Sequence, residues 1–376
     1  MAQVYGSNEL FEDVHQRELC IGCGACVDLC PYFKNYRGKT SRLFACTLTQ
    51  GRCYAYCPKA EVDLNDLFQD RFQCDYEALP MGVHRSVVAA RAGRRMTEGP
   101  FQGGGTVSAL MAFALESGLV DVAALTDREG LVPHACLVTD AREVARHGGA
   151  KFMAAPTLAG VNQAVRQGYR RIGVVGTPCQ MMALAQMRRN PLGKPEHNVP
   201  VGLAIGLFCN WALDTRQLID LLAARLNVNT IRAMDIPPPP ANVMVLETDQ
   251  GTETISLSEI KPLIPHTCFI CLDMTAELAD VSVGMYEARS RWNTLIVRTE
   301  AGDALVADAV GAGYLETAAM PAEDVDHLSR ASAAKKARSM RMLLQRQLLN
   351  SAEGQRAALR LPEAVVDRIL PSKPTR

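Results

Sequence analysis

The chain carries no excess charge of either sign. Forty Lys and Arg stand against 40 Asp and Glu, giving a net charge of zero and an isoelectric point near 7.0. A protein built to grip a polyanion would show a basic surplus, so nucleic acid is not an expected partner. No uncharged apolar run reaches the roughly 18–20 residues that a membrane-crossing helix needs. The best stretches, Phe101–Leu115 and Ile172–Met187, are broken by glycines or by Pro178. The first residues, MAQVYGSNELFEDVHQREL, are polar and acidic, unlike a secretory leader, and the expected location is cytoplasmic. No repeat with a fixed period is found, and no Ser–His–Asp set or carboxylate pair suggests hydrolytic chemistry. With 48% hydrophobic and 21% charged residues, the 376-residue chain can still bury ordinary cores, and its length suggests two or three domains.

What the sequence does have is cysteine, thirteen in all. An odd number in a reducing compartment is not a disulfide framework. Seven of them fall between Cys20 and Cys57, a density that packing alone does not require, and metal is the natural reading. The run Cys20-x2-Cys23-x2-Cys26-x3-Cys30-Pro31 has the bacterial ferredoxin spacing, in which three close thiolates wrap one 4Fe–4S cluster and the fourth reaches its neighbour. Gly22 and Gly24 let the backbone bend tightly around such a group. A zinc site would more often show two well-separated Cys-x-x-Cys pairs. The partner half, Cys46-x6-Cys53-x3-Cys57-Pro58, is irregular. By the cross-over rule Cys57 completes the set of Cys20, Cys23 and Cys26. Cys30, Cys46 and Cys53 are then left without an obvious fourth thiolate. Cys74, a non-cysteine ligand, a three-iron cluster or a lost second cluster all remain open.

Three regions separate by composition. Residues 1–75 are Cys-rich and read as a small α+β ferredoxin-like iron–sulfur domain. Residues 76–325 alternate strand-like and helix-like stretches and read as an α/β domain. Here Val87–Ala92, Leu119–Leu125, Arg171–Gly176 and Val201–Phe208 are the expected strands, with helices over Val107–Glu116, Met181–Arg188 and Asp214–Leu226. Thr294–Arg298 and Ala304–Val306 read as a late hairpin. Residues 326–376 form a basic helical C-terminal tail; from Arg330 onward it holds eleven Lys and Arg against three acids. Its partial apolar stripe of Met340, Leu343, Leu344, Leu348 and Leu349 could fold back on the chain or, as the favoured reading, dock on another subunit.

Of the five cysteines in the α/β region, four stand out: Cys179 in GTPCQ, Cys209 in LFCN, and Cys268 and Cys271 in HTCFICLD. Cys179 and Cys209 each follow an expected strand, so adjacent strands would deliver both to one sheet edge, where the Cys-x-x-Cys loop could close the set. The run QGGGTVS opens a helix after a strand, as a simple turn would and as a pyrophosphate-binding loop would.

At these residues the chain resembles the beta subunits of coenzyme F420-reducing hydrogenases and deazaflavin-dependent formate dehydrogenases. The resembling segments are Gly103-Gly104-Gly105-Thr106-Val107-Ser108, Gly176-Thr177-Pro178-Cys179-Gln180, Gly206-Leu207-Phe208-Cys209, Cys268-x-x-Cys271-x-Asp273, Ala279-Asp280-Val281-Ser282-Val283-Gly284 and TLIVRT. The resemblance implies an oxidoreductase subunit that binds FAD, with Cys179, Cys209, Cys268 and Cys271 ligating a 4Fe–4S cluster near the flavin. It assigns Gly103, Gly104, Gly105, Thr106 and Ser108 to the FAD phosphates, and Lys151, Thr177, Pro178, Asp280 and Gly284 to the cofactor's surroundings. It implies a complex with a redox partner such as a hydrogenase, formate dehydrogenase or heterodisulfide reductase-like protein. Coenzyme F420 is the hydride carrier that fits best. A ferredoxin-dependent reductase of an organic substrate and a non-catalytic electron adapter are the alternatives. After Asp280 the family usually continues with a Gly-Asp/Glu-x-Gly loop, where this chain has Gly284-Met285-Tyr286-Glu287-Ala288. That departure leaves the substrate open.

Overall fold

The computed structural model describes residues 3–96, 98–350, 352 and 354–371. Its centre is an eight-stranded sheet. The strand order is Leu315–Ala319, Ser86–Ala92, Asn293–Val297, Val281–Met285, Val201–Leu207, Ile172–Gly176, Val122–Glu129 and Val132–Val138. Four neighbouring strands, beginning at Val281, Val201, Ile172 and Val122, run parallel. The remaining pairings are antiparallel. Runs such as IGVVG and VGLAIGL suit the parallel centre because both of their faces are covered.

One face is covered by the helices Thr106–Glu116 and Glu300–Gly311, which share a core with Leu203, Ile205 and Leu295. Thr106–Glu116 is apolar nearly all round and buries Ala109, Leu110, Met111 and Ala112 in succession. The other face carries Thr157–Arg166 and Pro178–Arg189. A separate three-stranded antiparallel sheet, Ile231–Asp235, Val243–Thr248 and Gly251–Ser256, closes over its own small core.

The Cys-rich segment has little regular structure beyond the hairpin of Phe33–Tyr36 and Lys39–Arg42 and the helix Leu64–Phe72. It owns no separate core. Leu10, Leu19, Phe33, Tyr54 and Tyr56 are buried in the same cluster as Leu158, Ile172 and Met181 of the sheet region.

Two expectations are corrected. Ala304–Val306 is not the second strand of a hairpin but part of the helix Glu300–Gly311. Thr299 caps that helix, accepting from the Gly302 amide, and Glu300 and Asp303 favour its positive N-terminus. The tail, in turn, is no free arm. Its helix spans Ala322–Gln345 and buries Lys335, Lys336, Met340 and Leu343 against its own chain. Farther on, Leu359–Arg360 pairs in parallel with Val62–Asp63. Arg356 and Arg360 reach Glu12, Asp13 and Glu61 of the N-terminal segment. The fold-back alternative therefore describes the stripe, and Leu344 is its exposed member.

Lys336 fixes the helix in place. It is 2% exposed and donates to Glu277 and, at 3.2 Å, to the Tyr76 hydroxyl. Burial opposes its charge, but Glu277, Tyr76 and Asp273 outweigh burial and hold its pKa above the ordinary lysine value. Removing one partner of a buried pair leaves an uncompensated charge, at a cost of about 3–5 kcal/mol. Lys336→Met is expected to lose stability on that scale in urea unfolding, and a loss below about 1 kcal/mol would contradict the contact.

Candidate functional site

The parallel strands set up the site. Ile172–Gly176 and Val201–Leu207 are parallel neighbours with Gly176 opposite Gly206, so the segments that follow them leave the sheet side by side. After the first strand, Thr177 caps the helix Pro178–Arg189, with Pro178 at its first position and the Gln180 side chain accepting from the Thr177 amide. Cys179 is thereby held in the first turn. Cys209 follows the second strand, its amide bonded to Met274 O at 2.9 Å. Cys268 and Cys271 come from the turn His266–Ile270 and the residue after it.

These four thiols are one electrostatic group. Cys209 lies close enough to Cys268, Cys179 and Cys271 for each to oppose its ionisation. Burial, with Cys271 and Cys268 adding to it, pushes the Cys179 thiol up to about 11. Burial also raises Cys209 and Cys268. The Ala212 amide donates to the Cys268 sulfur at 3.4 Å, the kind of N–H···S contact that favours a bound thiolate.

A second group joins Cys20, Cys23, Cys26 and Cys57. Burial raises Cys23, Cys26 and Cys57, the last to about 12, and the mutual repulsion of these four thiols adds to each rise. The loop that carries them is pinned to the sheet region. Asn162, on the helix Thr157–Arg166, donates to Ala25 O at 3.0 Å and to Val27 O at 2.7 Å. Gly24 sits at φ +88°, where a Cβ would fall 2.5 Å from Pro156 O. Only glycine fits between that loop and the helix.

Cys30, Cys46 and Cys53 form a third, incomplete group. Burial pushes Cys53 up to about 11, with Cys30 and Cys46 as its thiol neighbours. Cys74 does not join it. The charged groups acting on Cys74 are Glu77 and Asp75, and no other cysteine is among them. Among the described residues, no three His, Cys, Asp or Glu side chains gather tightly enough to hold a single metal ion. Two sets of four thiols are instead the donor complement of 4Fe–4S clusters, and the residues fit that group.

The glycine loop shares the sheet edge with Cys179. Ser86–Ala92 is parallel in sense to Val281–Met285, because each is antiparallel to Asn293–Val297. Its carboxyl end, which leads to the loop, therefore lies at the edge from which Cys179 and Cys209 emerge. Ligands in open α/β sheets bind at this edge. Gly103 and Gly104 pack on Asn293, and a Cβ on Gly104 would meet the Asn293 Oδ1 at 2.8 Å. Gly105 adopts φ +74° against the Phe101 ring. The Thr106 amide reaches Asn293 Oδ1 at 3.4 Å, while the buried Thr106 hydroxyl has no partner. Ser108 is buried in the first turn of the helix. A backbone cradle, an unpartnered hydroxyl and a helix N-terminus fit a phosphate-bearing cofactor.

Lys151 closes the neighbouring loop, donating to His147 O and Gly148 O at 2.8 Å and to Gly149 O at 3.1 Å. Burial lowers its pKa. Beside it Arg128 donates to Ile231 O at 3.2 Å while its other terminal nitrogen is buried without a partner. Two residues that the resemblance assigns to the cofactor's surroundings make scaffold contacts. Asp280 is buried beside the strand Val201–Leu207, where it accepts from Ala204 N, Thr299 Oγ1 and Arg71. Gly284 is a strand residue, and a Cβ there would enter the Phe208 ring. The sequence reading missed Asn162, Asn293 and Arg128; of these, only Asn162 and Asn293 carry a local hint, as amides in otherwise apolar elements.

Comparisons with known proteins identify the family. Residues 87–162 and 169–323 match the N-terminal and C-terminal parts of the family described as coenzyme F420 hydrogenase/dehydrogenase, beta subunit. Residues 14–32 match the 4Fe-4S binding domain. The chain is 31% identical over 250 residues to the coenzyme F420 hydrogenase subunit beta of Methanothermobacter thermautotrophicus, covering 65% of this chain and 87% of that one. With the Methanococcus voltae protein of the same name it is 30% identical over 281 residues, covering 72% and 98%. A chain of the F420-reducing [NiFe] hydrogenase complex from Methanosarcina barkeri shares the fold, with a TM-score of 0.65 and 24% identity over 71% of this chain and 94% of that chain. With both parts of the family matched and relatives at 30–31% identity, the chain belongs to the coenzyme F420 hydrogenase/dehydrogenase beta subunit family and carries a 4Fe-4S binding motif at its N-terminal end.

Proposed function

We propose that the chain is the flavin- and iron–sulfur-bearing subunit of a cytoplasmic oxidoreductase complex. It passes electrons between reduced coenzyme F420 at an FAD site and 4Fe–4S centres leading to a partner subunit, such as a hydrogenase or formate dehydrogenase. The observation that carries this reading is the convergence of Cys179, Cys209, Cys268 and Cys271 at the sheet edge that also holds the glycine loop. When bound, a flavin exchanges a hydride with an organic carrier and single electrons with clusters.

The residues divide that work. Gly103, Gly104 and Gly105 leave room for phosphates against the N-terminus of the helix, and Thr106 and Ser108 offer hydroxyls there. Lys151 orders the 147–149 loop and supplies a cation for the reduced flavin ring. Thr177 and Pro178 place Cys179 in the first turn of its helix, so that its centre lies nearest the flavin. Cys20, Cys23, Cys26 and Cys57 hold the next centre, and Cys30, Cys46 and Cys53 contribute to a third. The names of the relatives, which are hydrogenase subunits acting on F420, support the choice of carrier and partner.

Anaerobic purification is expected to give a brown protein that releases one FAD and holds about 8–12 irons per chain, four for each complete centre. Reduced F420 is expected to bleach the flavin faster than NADH or reduced ferredoxin. A brown protein that holds iron but no FAD would point to an electron adapter, and zinc with fewer than about four irons would defeat the cluster assignment.

Cys179→Ser is expected to retain FAD while slowing the flavin's reoxidation through the partner. A variant that binds flavin and reoxidises it at the normal rate would remove Cys179 from the route.

A further inference from the structure

Two lysines from opposite ends of the chain are buried beside the four thiols of the sheet edge. Lys59 directly follows Cys57-Pro58, is 7% exposed, and donates to Thr267 O at 3.5 Å. Its charge acts on Cys57, Cys179 and Cys268. Lys335 lies on the helix Ala322–Gln345, beyond residue 323 where the family match ends. It is 3% exposed and donates to Cys209 O at 2.6 Å and Asp273 O at 2.8 Å. Its charge acts on Cys209, Cys268 and Cys271.

Neither lysine makes an ion pair with a carboxylate among the described residues, whereas the adjacent Lys336 is paired with Glu277. A buried ammonium without an anion is strongly disfavoured. Carbonyl oxygens satisfy the hydrogen bonds of Lys335 but supply no negative charge. The Asp273 carboxylate attracts it less than Cys271 and Cys209 do, so the main anion is on the thiol side. Four thiolates around an iron–sulfur core are net negative, and two ammonium groups facing them restore the balance.

We propose that Lys335 and Lys59 are the counter-charges of the centre held by Cys179, Cys209, Cys268 and Cys271, and that they raise its reduction potential. The inference rests on the iron–sulfur reading of these thiols given above. Net charge and hydrogen bonding are among the levers that set cluster potentials. One-electron reduction of the centre breaks no bond and adds one negative charge, which a fixed cation stabilises. The placement also predicts a pattern. Lys335 faces this centre alone, while Lys59 stands between it and the centre of Cys20, Cys23, Cys26 and Cys57.

The test is an anaerobic redox titration of the purified holoprotein, followed by electron paramagnetic resonance. The signal lost in Cys271→Ser identifies the sheet-edge centre, and the signal lost in Cys26→Ser identifies its neighbour. Lys335→Met is expected to shift the reduction equilibrium of the sheet-edge centre at least tenfold toward the oxidised form, about 59 mV for one electron, and to leave the neighbour unmoved. Lys335→Arg should restore most of that shift. Lys59→Met should lower both midpoints. An unchanged midpoint in Lys335→Met, or an equal shift of both centres, would overturn the proposal. So would a Lys335→Met protein that keeps its melting temperature but lacks the centre, with no rescue by arginine, because the lysine would then serve assembly. A wild-type protein without iron would defeat the iron–sulfur reading itself, a result distinct from all of these.

Discussion

The structure turns on burying thiols that the proposed clusters would make anionic. Eight thiols in two sets of four sit at the seam where the Cys-rich segment, the carboxyl edge of the parallel sheet and the C-terminal helix meet. Burial raises the pKa values of Cys23, Cys26, Cys57, Cys179, Cys209 and Cys268, so without a bound cation these sulfurs stay neutral. Iron reverses the preference by binding the thiolate. The rest of the architecture supplies what such sites require: glycine turns, backbone amides directed at sulfur, and lysines in place of solvent.

This requirement explains why the N-terminal segment and the tail are not separable modules. The loop of Cys20–Cys26 is clamped by Asn162, and the Leu19 carbonyl accepts from Thr267, next to Cys268 of the sheet-edge set. The tail crosses the same seam, with Ser339 donating to Cys271 O at 2.9 Å and Ser332 donating to Pro80 O. The tail's cations that looked like a docking surface are in part internal, since Lys335 and Lys336 are buried while Arg356 and Arg360 pair with acids of the N-terminal segment.

What was legible in the sequence was local. The Cys-x-x-Cys spacings and the strands beginning at Ile172 and Val201 are encoded within a few residues of where they act, whereas the helix expected from Met181 begins earlier, at Pro178. Adjacency of Cys179 and Cys209 followed from one further step, the pairing of neighbouring parallel strands. The grouping of Cys57 with Cys20, Cys23 and Cys26 also followed from spacing. What was not legible depends on partners distant in the chain. Asn162 meets Ala25 across 137 positions, and Lys335 meets Cys209 across 126. Gly284 is glycine because Phe208 lies against it, a contact that no local pattern announces. Ala304–Val306 is too short to reveal its period, and only the Thr299 cap marks the helix.

The central claim is that electrons cross from a flavin at the glycine-loop edge into thiol-held centres of the same chain. Rapid mixing of the anaerobic holoprotein with reduced F420, with freeze-quenching at intervals, tests it directly. The account predicts that flavin bleaching is followed, within a single turnover, by the magnetic resonance signals of reduced clusters. A flavin that is reduced while the clusters stay oxidised over many turnovers would contradict it.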